Sequence, residues 1–304
     1  MRATLALEDG LVLTGELIGA EGSSVGEVVF TTSPTGYQEV LSDPSYRGQI
    51  VVMAYPLIGN YGFHDTRLES QRLQAAGFVV RRAAPAAREG AGDLDAYLRA
   101  SGITGIGEID TRRLVRHLRT GGVRRGVITT DAESPGDLVA RARAVPDLGE
   151  LDLVAQVSTP DVVRWPATGP RVAVLDCGAK QGIVRHLRAR GCEVILFPHS
   201  THAAAIRAVE PAGLVVTNGP GDPAQLGGIA AEVHRLWESV PVMGICLGHQ
   251  ILAIAAGATT FKLPFGHRGS NHRCATRRPA GWPSRRRTTG TRWTKRRWPA
   301  AASR

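Results

Sequence analysis

The chain has 304 residues, 43% of them apolar and 21% charged, with a formal net charge of +10. This is the composition of an ordinary globular protein long enough for two cores. No apolar run approaches the roughly 18 residues that cross a bilayer, so no membrane partner is expected. The N-terminus MRATLALEDGLVL lacks the basic start, long apolar run and small-residue cleavage site of a secretory signal. Cys177, Cys192, Cys246 and Cys274 show neither CxxC pairs nor regular spacing. Neither a disulfide framework nor a zinc site is therefore expected, and a reducing cytoplasm fits. The positive charge is concentrated: residues 273–304 hold eleven of the 37 Lys/Arg and none of the 27 Asp/Glu, which leaves the rest close to neutral.

From Ala3 to Phe30 apolar and polar residues alternate, in TLALEDGLVLTGELIG and GEVVFTT, with Asp9-Gly10 marking a hairpin turn. QIVVMAYP and RGVITT predict further strands. DAYLRAS and DTRRLVRHLRTGG predict helices, the second with Asp110 as N-cap and Gly121 as its stop. Residues 1–155 thus read as a β-rich domain with a few helices. Residues 156–170, which include STPDVVRWPATGP, read as a Pro-containing linker.

From Arg171 the rhythm changes. RVAVLDCG, CEVILFP, LVVTNG and PVMGIC predict strands; KQGIVRHLRARG, THAAAIRAVEPA, AEVHRLWESV and LGHQILAIAAG predict the helices between and after them. Strands separated by helices of this length imply an α/β domain, a parallel sheet with helices on both faces, over 171–272. Right-handed crossovers gather the strand C-termini at one edge, where DCGAK, NGPGDP and GICLGHQ lie. The tail, 273–304, contains no Val, Ile, Leu, Phe, Met or Tyr but three of the five Trp. No amphipathic period survives there, so no folded element is expected and the tail is expected to be disordered.

Cys246 follows a strand and precedes a helix, as in a nucleophile elbow. Gly244 and Gly248 permit the sharp turn and let a substrate come close. The helix N-terminus stabilises thiolate, and the Leu247 N–H faces an oxyanion forming on an attacked carbonyl. NGPGDP, 218–223, offers further N–H groups to such an oxyanion, each worth about 3 kcal/mol in the transition state. An isolated cysteine is more often a small buried hydrophobe, and NGPGDP alone is only a tight turn. Two such loops on adjacent strands favour the catalytic reading. His249, three residues after Cys246 on the helix, reads as structural. His267 and His272, in FGHRGSNH, read as exposed or substrate-positioning. His64, His117, His186, His199, His202 and His234 stand in no carboxylate or cysteine constellation. No Asp or Glu follows Glu238, so no downstream His-x-Glu is available to the thiol.

These residues resemble class I (triad) glutamine amidotransferases, whose GxCxGxQ elbow carries the cysteine that attacks the glutamine side-chain amide. VVFTTSPTGYQEVLSDPSYRGQIVVMAYPLIGNYG (28–62), HDTRLESQ, GEIDTRRLVRHLRTGGVRRGVI, VAVLDCGAKQGIVRHL and GHRGSNH are similar to the small-subunit family of carbamoyl-phosphate synthase. The resemblance runs from about residue 1 to His272. Amidotransferases serving anthranilate or guanylate synthesis lack the TGYQEVLSDPSY domain. The resemblance implies that Cys246 is the nucleophile and that Ser45, Gly219, Gly221, Leu247 and Gln250 contact L-glutamine. It implies a glutamyl-thioester, release of ammonia, and hydrolysis to glutamate. Ammonia would pass through an internal tunnel to a large ATP-using subunit, the partner in a cytoplasmic heterodimer. That subunit combines it with bicarbonate, giving carbamoyl phosphate for arginine and pyrimidine biosynthesis. No cofactor, metal or nucleic acid is implied for this chain; ATP and Mg belong to the large subunit.

After His272 the family pattern should continue through an Asn-x-Gly-aromatic stretch to the triad His and Glu, none of which is present. Reading RCATRRPAGWPSRRRTTGTRWTKRRWPA from one nucleotide upstream, permitted codons yield Pro-Val-Arg-Asp-Pro-Ala-Thr-Gly-Arg-Val-Ala-Val-Thr-Ser-Gln-Asn-His-Gly-Tyr-Ala-Val-Asp-Glu-Ala-Ser-Leu-Ala. That contains alternating residues and the missing Asn-His-Gly-Tyr. A single-nucleotide frameshift after His272 is therefore expected. It leaves the amidotransferase domain incomplete at its C-terminus and its glutaminase impaired, because a thiolate without its histidine lacks a general base and acid. Two rival readings are a catalytically dead scaffold and an Arg/Trp tail that binds nucleic acid through phosphate contacts and base stacking.

Overall fold

Residues 1–85, 92–266, 268 and 291–294 are described by the computed structural model. They fall in two units, one built on Met1–Leu151 and joined by the described residues from Pro264, the other on Asp152–Leu263 with Thr291–Thr294.

In the first unit, β1 (Arg2–Leu7) and β2 (Val12–Gly19) pair antiparallel around the Asp9-Gly10 turn. There follow β3 (Ser23–Thr31), α1 (Tyr37–Ser42), β4 (Gln49–Met53), β5 (Leu57–Ile58), β6 (Gly77–Val79) and β7 (Arg82–Ala83). Then come α2 (Leu94–Ala100), β8 (Thr104–Gly107), α3 (Thr111–Gly121), β9 (Arg124–Thr129) and α4 (Pro135–Ala144). Seven strands close a barrel in the order β1-β2-β8-β6-β4-β3-β9, which leaves no open edge. Alternation along the strands sorts the core. Val28, Phe30, Ile50, Val52, Val79 and Ile128 cluster with Leu114 and Leu118 of α3. Val29, Val51, Met53 and Phe78 cluster with Leu41 of α1 and Leu94 and Leu98 of α2. Each such side chain stabilises the fold by about 1.5–3 kcal/mol through burial. Asp110 caps α3 as expected, accepting the Arg113 N–H at 2.9 Å; the helix stops one residue beyond the expected point, at Gly122.

The second unit contains β10 (Val163–Trp165), β11 (Arg171–Asp176), α5 (Gln181–Arg188), β12 (Glu193–Pro198), α6 (Ala203–Ala208) and β13 (Gly213–Val216). It continues with α7 (Gly227–His234), β14 (Val242–Gly244), α8 (Leu247–Ala255), β15 (Thr259–Lys262) and β16 (Thr291–Thr294). The main sheet runs β10-β12-β11-β13-β14, and its last four strands are mutually parallel, as expected for an α/β domain. One face carries Ala173, Leu175, Ile195, Leu214 and Val216 against α6, α7 and α8. The other carries Val174, Val194, Leu196 and Val215 against α5.

Three expectations are corrected. The expected linker contains β10, which pairs antiparallel with β12 and so makes the sheet mixed; Arg164 Nε lies 3.6 Å from Glu193 Oε1. Helix α7 starts at Gly227 and ends at His234 rather than spanning AEVHRLWESV. A 3-10 turn over Pro223–Leu226, capped by Asp222 on the Ala224 N–H, leads the chain into it early. The tail does contribute a folded element: β16 pairs antiparallel with β15, Thr260 opposite Trp293. Thr-Arg-Trp-Thr supplies β-forming residues without any apolar period. The remainder of 273–304, with His267 and His272, lies outside the described residues. Among the described residues, no helix is long and apolar enough to cross a membrane.

Candidate active site at the sheet edge

Strand β14 ends at Gly244 and α8 begins at Leu247, so the chain must turn within Ile245 and Cys246. It does so with Cys246 at φ +53° and ψ −106°. A non-glycine residue held there costs about 1–3 kcal/mol, which the surroundings must over-determine. They do. Ile245 N–H donates to Val216 O at 2.9 Å, and Gly248 N–H donates to Thr217 O at 2.9 Å and Ile245 O at 3.0 Å. Main chain lies directly on main chain: a Cβ added to Gly248 would stand 2.0 Å from Val216 O. Cys246 is half-buried, outside any disulfide, and heads a nine-residue helix; Leu247 and Gln250 are buried. Glu108 and Glu210 also have positive φ, so the backbone angle alone does not make a site. What sets Cys246 apart is the combination with the helix N-terminus.

The adjacent strand β13 leads into NGPGDP. A Cβ on Gly219 would lie 1.9 Å from Cys177 O and 2.8 Å from Leu247 Cδ2, so glycine alone fits between the two neighbouring loops. Gly221 has φ +88°. Asn218 Nδ2 donates to Gly178 O at 2.8 Å, and Asn218 Oδ1 accepts the Lys180 N–H at 3.3 Å. Thr217 Oγ1 accepts the Cys177 N–H and donates to Asn218 O, both at 2.9 Å. In DCGAK, Asp176 Oδ1 accepts the N–H groups of Gly178 and Ala179 at 2.9 and 2.7 Å; its Oδ2 accepts the Thr159 N–H at 2.7 Å. The three loops named from the sequence are thus laced together at one edge. Thr217, Asn218 and Asp176, which do the lacing, were not singled out as site residues. Their only signal was position, each at the end of a strand or within two residues after it.

Cys246, Leu247 and Gln250 share the elbow, and Gly219 and Gly221 the adjoining loop. Ser45 belongs to the first unit, in the 3-10 turn Pro44–Tyr46, where its N–H donates to Asp43 Oδ1 at 2.9 Å. Cys177 is fully buried; burial first, and the Asp176 charge second, push its thiol well above the ordinary range. Two histidines read as lacking acidic company in fact have it, because the partners are distant in sequence. His117 Nε2 lies 2.7 Å from Asp9 Oδ2, and His202 Nδ1 lies 3.6 Å from Glu232 Oε1. Burial pushes the Asp9 carboxyl up, but His117, the Leu11 N–H and Arg124 together outweigh it and hold the group below its ordinary value. Among the described residues, no cluster of three or more His, Cys, Asp or Glu could hold a metal ion.

A half-buried thiol on a strand–elbow–helix turn, beside a Gly-Pro-Gly loop on the next parallel strand, is the arrangement of a glutamine amidotransferase domain. The family of class-I glutamine amidotransferases matches residues 173–297. The CPSase domain of the carbamoyl-phosphate synthase small chain matches residues 5–128. The carbamoyl phosphate synthase small chain of Methanopyrus kandleri is 48% identical over 277 residues, covering 89% of this chain and 77% of that protein. The protein of that name from Rhodopirellula baltica is 44% identical over 293 residues, covering 88% and 75%. That from Aquifex aeolicus is 44% identical over 286 residues, covering 89% and 77%. The chain belongs to the carbamoyl phosphate synthase small-chain family.

Proposed function

We propose that this chain carries the glutamine-hydrolysing half of carbamoyl phosphate synthesis, with Cys246 as the nucleophile. The observation that carries this reading is the Cys246 backbone, held at φ +53° at the head of α8 by hydrogen bonds to β13. The Cys246 thiolate, favoured by the helix N-terminus, attacks the γ-amide carbon of L-glutamine. A C–S bond forms, and the oxyanion is held by the N–H groups of Leu247 and Gly219. The C–N bond then breaks as solvent protonates the nitrogen and ammonia leaves; water attacks the thioester, and the C–S bond breaks to give glutamate and regenerate the thiolate. Gly221 and Gln250 complete the glutamine contacts. Ammonia passes to the large subunit, which holds ATP and Mg and makes carbamoyl phosphate for arginine and pyrimidine synthesis; this chain itself takes no cofactor, metal or nucleic acid.

Both chemical steps move protons, yet no Asp or Glu follows Glu238 and no His follows His272. We infer that a one-nucleotide frameshift after His272 has replaced the segment carrying the base, and that glutaminase activity of the chain as written is impaired. Glutamate release should be measured with and without the large subunit, in this chain and in one with the frame restored. The expected result is weak, Cys246-dependent release that rises on restoration. Release that persists in Cys246→Ala overturns the nucleophile assignment, and coding DNA with no intact downstream frame overturns the frameshift. The absence of acids also favours a second reading, a catalytically dead partner of the large subunit. Its signature is a stable complex with no Cys246-dependent release. Salt-dependent DNA or RNA binding lost on truncation at His272 would instead make the tail a nucleic-acid binder.

A further inference from the structure

We infer that Thr217 is the positioning residue of the oxyanion site, holding the N–H groups of Gly219 and Leu247 at their mutual spacing without touching glutamine. This rests on Cys246 being the nucleophile. Thr217 is fully buried and follows the last residue of β13. Its N–H donates to Leu175 O at 3.2 Å, towards β11, and its C=O accepts the Gly248 N–H at 2.9 Å, towards the elbow. A threonine serving only as sheet filler would need nothing more. Its hydroxyl, however, is committed to the loops, accepting from Cys177 N–H and donating to Asn218 O.

Two lines of contact leave this one residue. Through Oγ1 it holds the Cys177 peptide, whose carbonyl abuts Gly219 so closely that a Cβ there would be 1.9 Å away. Through its carbonyl it holds Gly248, the residue after Leu247. Both proposed oxyanion donors are therefore referenced to Thr217. Valine has nearly the same shape but no hydroxyl, and it would leave the Cys177 N–H buried without an acceptor. The Cys177 peptide then shifts to find one, and Gly219 shifts with it. Displacements near 1 Å in a reacting site cost about 10²-fold in rate.

The test compares two modifications of Cys246 in the full chain, followed by mass spectrometry. A γ-chloroketone analogue of L-glutamine takes the thiolate at its carbonyl as an oxyanion; the sulfur then displaces chloride from the adjacent carbon, and the first C–S bond breaks as the carbonyl re-forms. Iodoacetamide alkylates the same thiol by direct displacement of iodide, with no oxyanion. Thr217→Val is expected to lower the chloroketone-to-iodoacetamide rate ratio at least about tenfold, with the iodoacetamide rate changed less than about twofold. Thr217→Ser, which keeps the hydroxyl, is expected to preserve the ratio within about threefold. Should the valine variant not fold, Thr217→Ala set against Thr217→Ser makes the same comparison. An unchanged ratio in the hydroxyl-free variant overturns the inference, as does a serine variant that falls equally far. A wild-type Cys246 that the chloroketone favours no more than it favours Cys192 defeats the nucleophile reading itself, and the inference with it.

Discussion

Cys177 and Cys246 stand one and two residues past the C-terminal ends of β11 and β14, parallel strands of the same sheet. Both strands run in the same direction and end at the same edge. The turns after them differ. Cys177 gives its N–H to Thr217 Oγ1, its carbonyl abuts Gly219, and its side chain joins the apolar cluster of Leu175, Val216 and Leu247, where burial keeps the thiol protonated. Cys246 is bent into a left-handed backbone, left half-buried, and set at a helix N-terminus. The turn, rather than the strand or the residue type, separates the sulfur that packs as a hydrophobe from the one proposed as the nucleophile.

The largest expected effect separates the two thiols directly. Cys246→Ala should lower modification by the glutamine chloroketone, and any glutamate release, by roughly 10³-fold or more, whereas Cys177→Ala should leave both nearly intact. Equal losses in the two variants would erase the distinction. Next comes the contact through which the Cys177 turn braces its neighbour. Gly219→Ala drives a Cβ against main chain that cannot swing away, and should destabilise the second unit by about 3 kcal/mol in denaturant unfolding. A stability within experimental error of wild type would mean that the two loops do not bear on each other.

The smallest effect is a matter of pH. The Cys177 thiol is raised in the folded protein, while in the unfolded chain it titrates near 8.5. Below that pH both states hold the proton, so the stabilisation is fully present. As pH rises, the unfolded chain releases the proton first, and stability should fall by about 1.4 kcal/mol per pH unit. Tyr37, pushed up to about 12 chiefly by burial, adds its own loss only above about pH 10, where an unfolded tyrosine begins to ionise. Unfolding measured from pH 8.5 to 10 in wild type and Cys177→Ala should therefore show the slope only in the wild type.

What could be read from the sequence was what short-range periodicity encodes. The β1–β2 hairpin, the Asp110-capped α3 and the strand–helix alternation after Arg171 all carry their signals within a dozen residues. The elbow at Cys246 was legible because a glycine pair around a cysteine at a strand end has few other uses. Helix α1 was not: its N-cap is Gly36 with no side-chain cap, and its buried Gln38 is satisfied by the main chain of His64, far along the chain. Strand β10 hides among prolines and is only three residues long. Helix α4 is the instructive miss, since Ser134 capping Asp137 and Pro135 in the first turn announce it locally. Barrel closure through the parallel pairs β3–β4, β4–β6 and β6–β8 depends on long-range pairing that no local pattern carries. The Thr217–Cys177–Asn218 lacing is of the same kind: each residue is unremarked alone and defined only by the loops that the sheet brings beside it.

The two borders of the second unit's sheet differ in a way that bears on handling the protein in solution. At one border β10, no longer than β14, is followed by Pro166 and carries Arg164 beside Glu193, features that discourage a foreign strand from docking. At the other, β14 is the outermost strand among the described residues, and Met243 on it is 60% exposed. Among the described residues no strand pairs with the outer side of β14, and an unpaired edge beside an exposed methionine is a template for strand docking. In concentrated solution, docking of a foreign strand is accordingly expected at the β14 border before the β10 border.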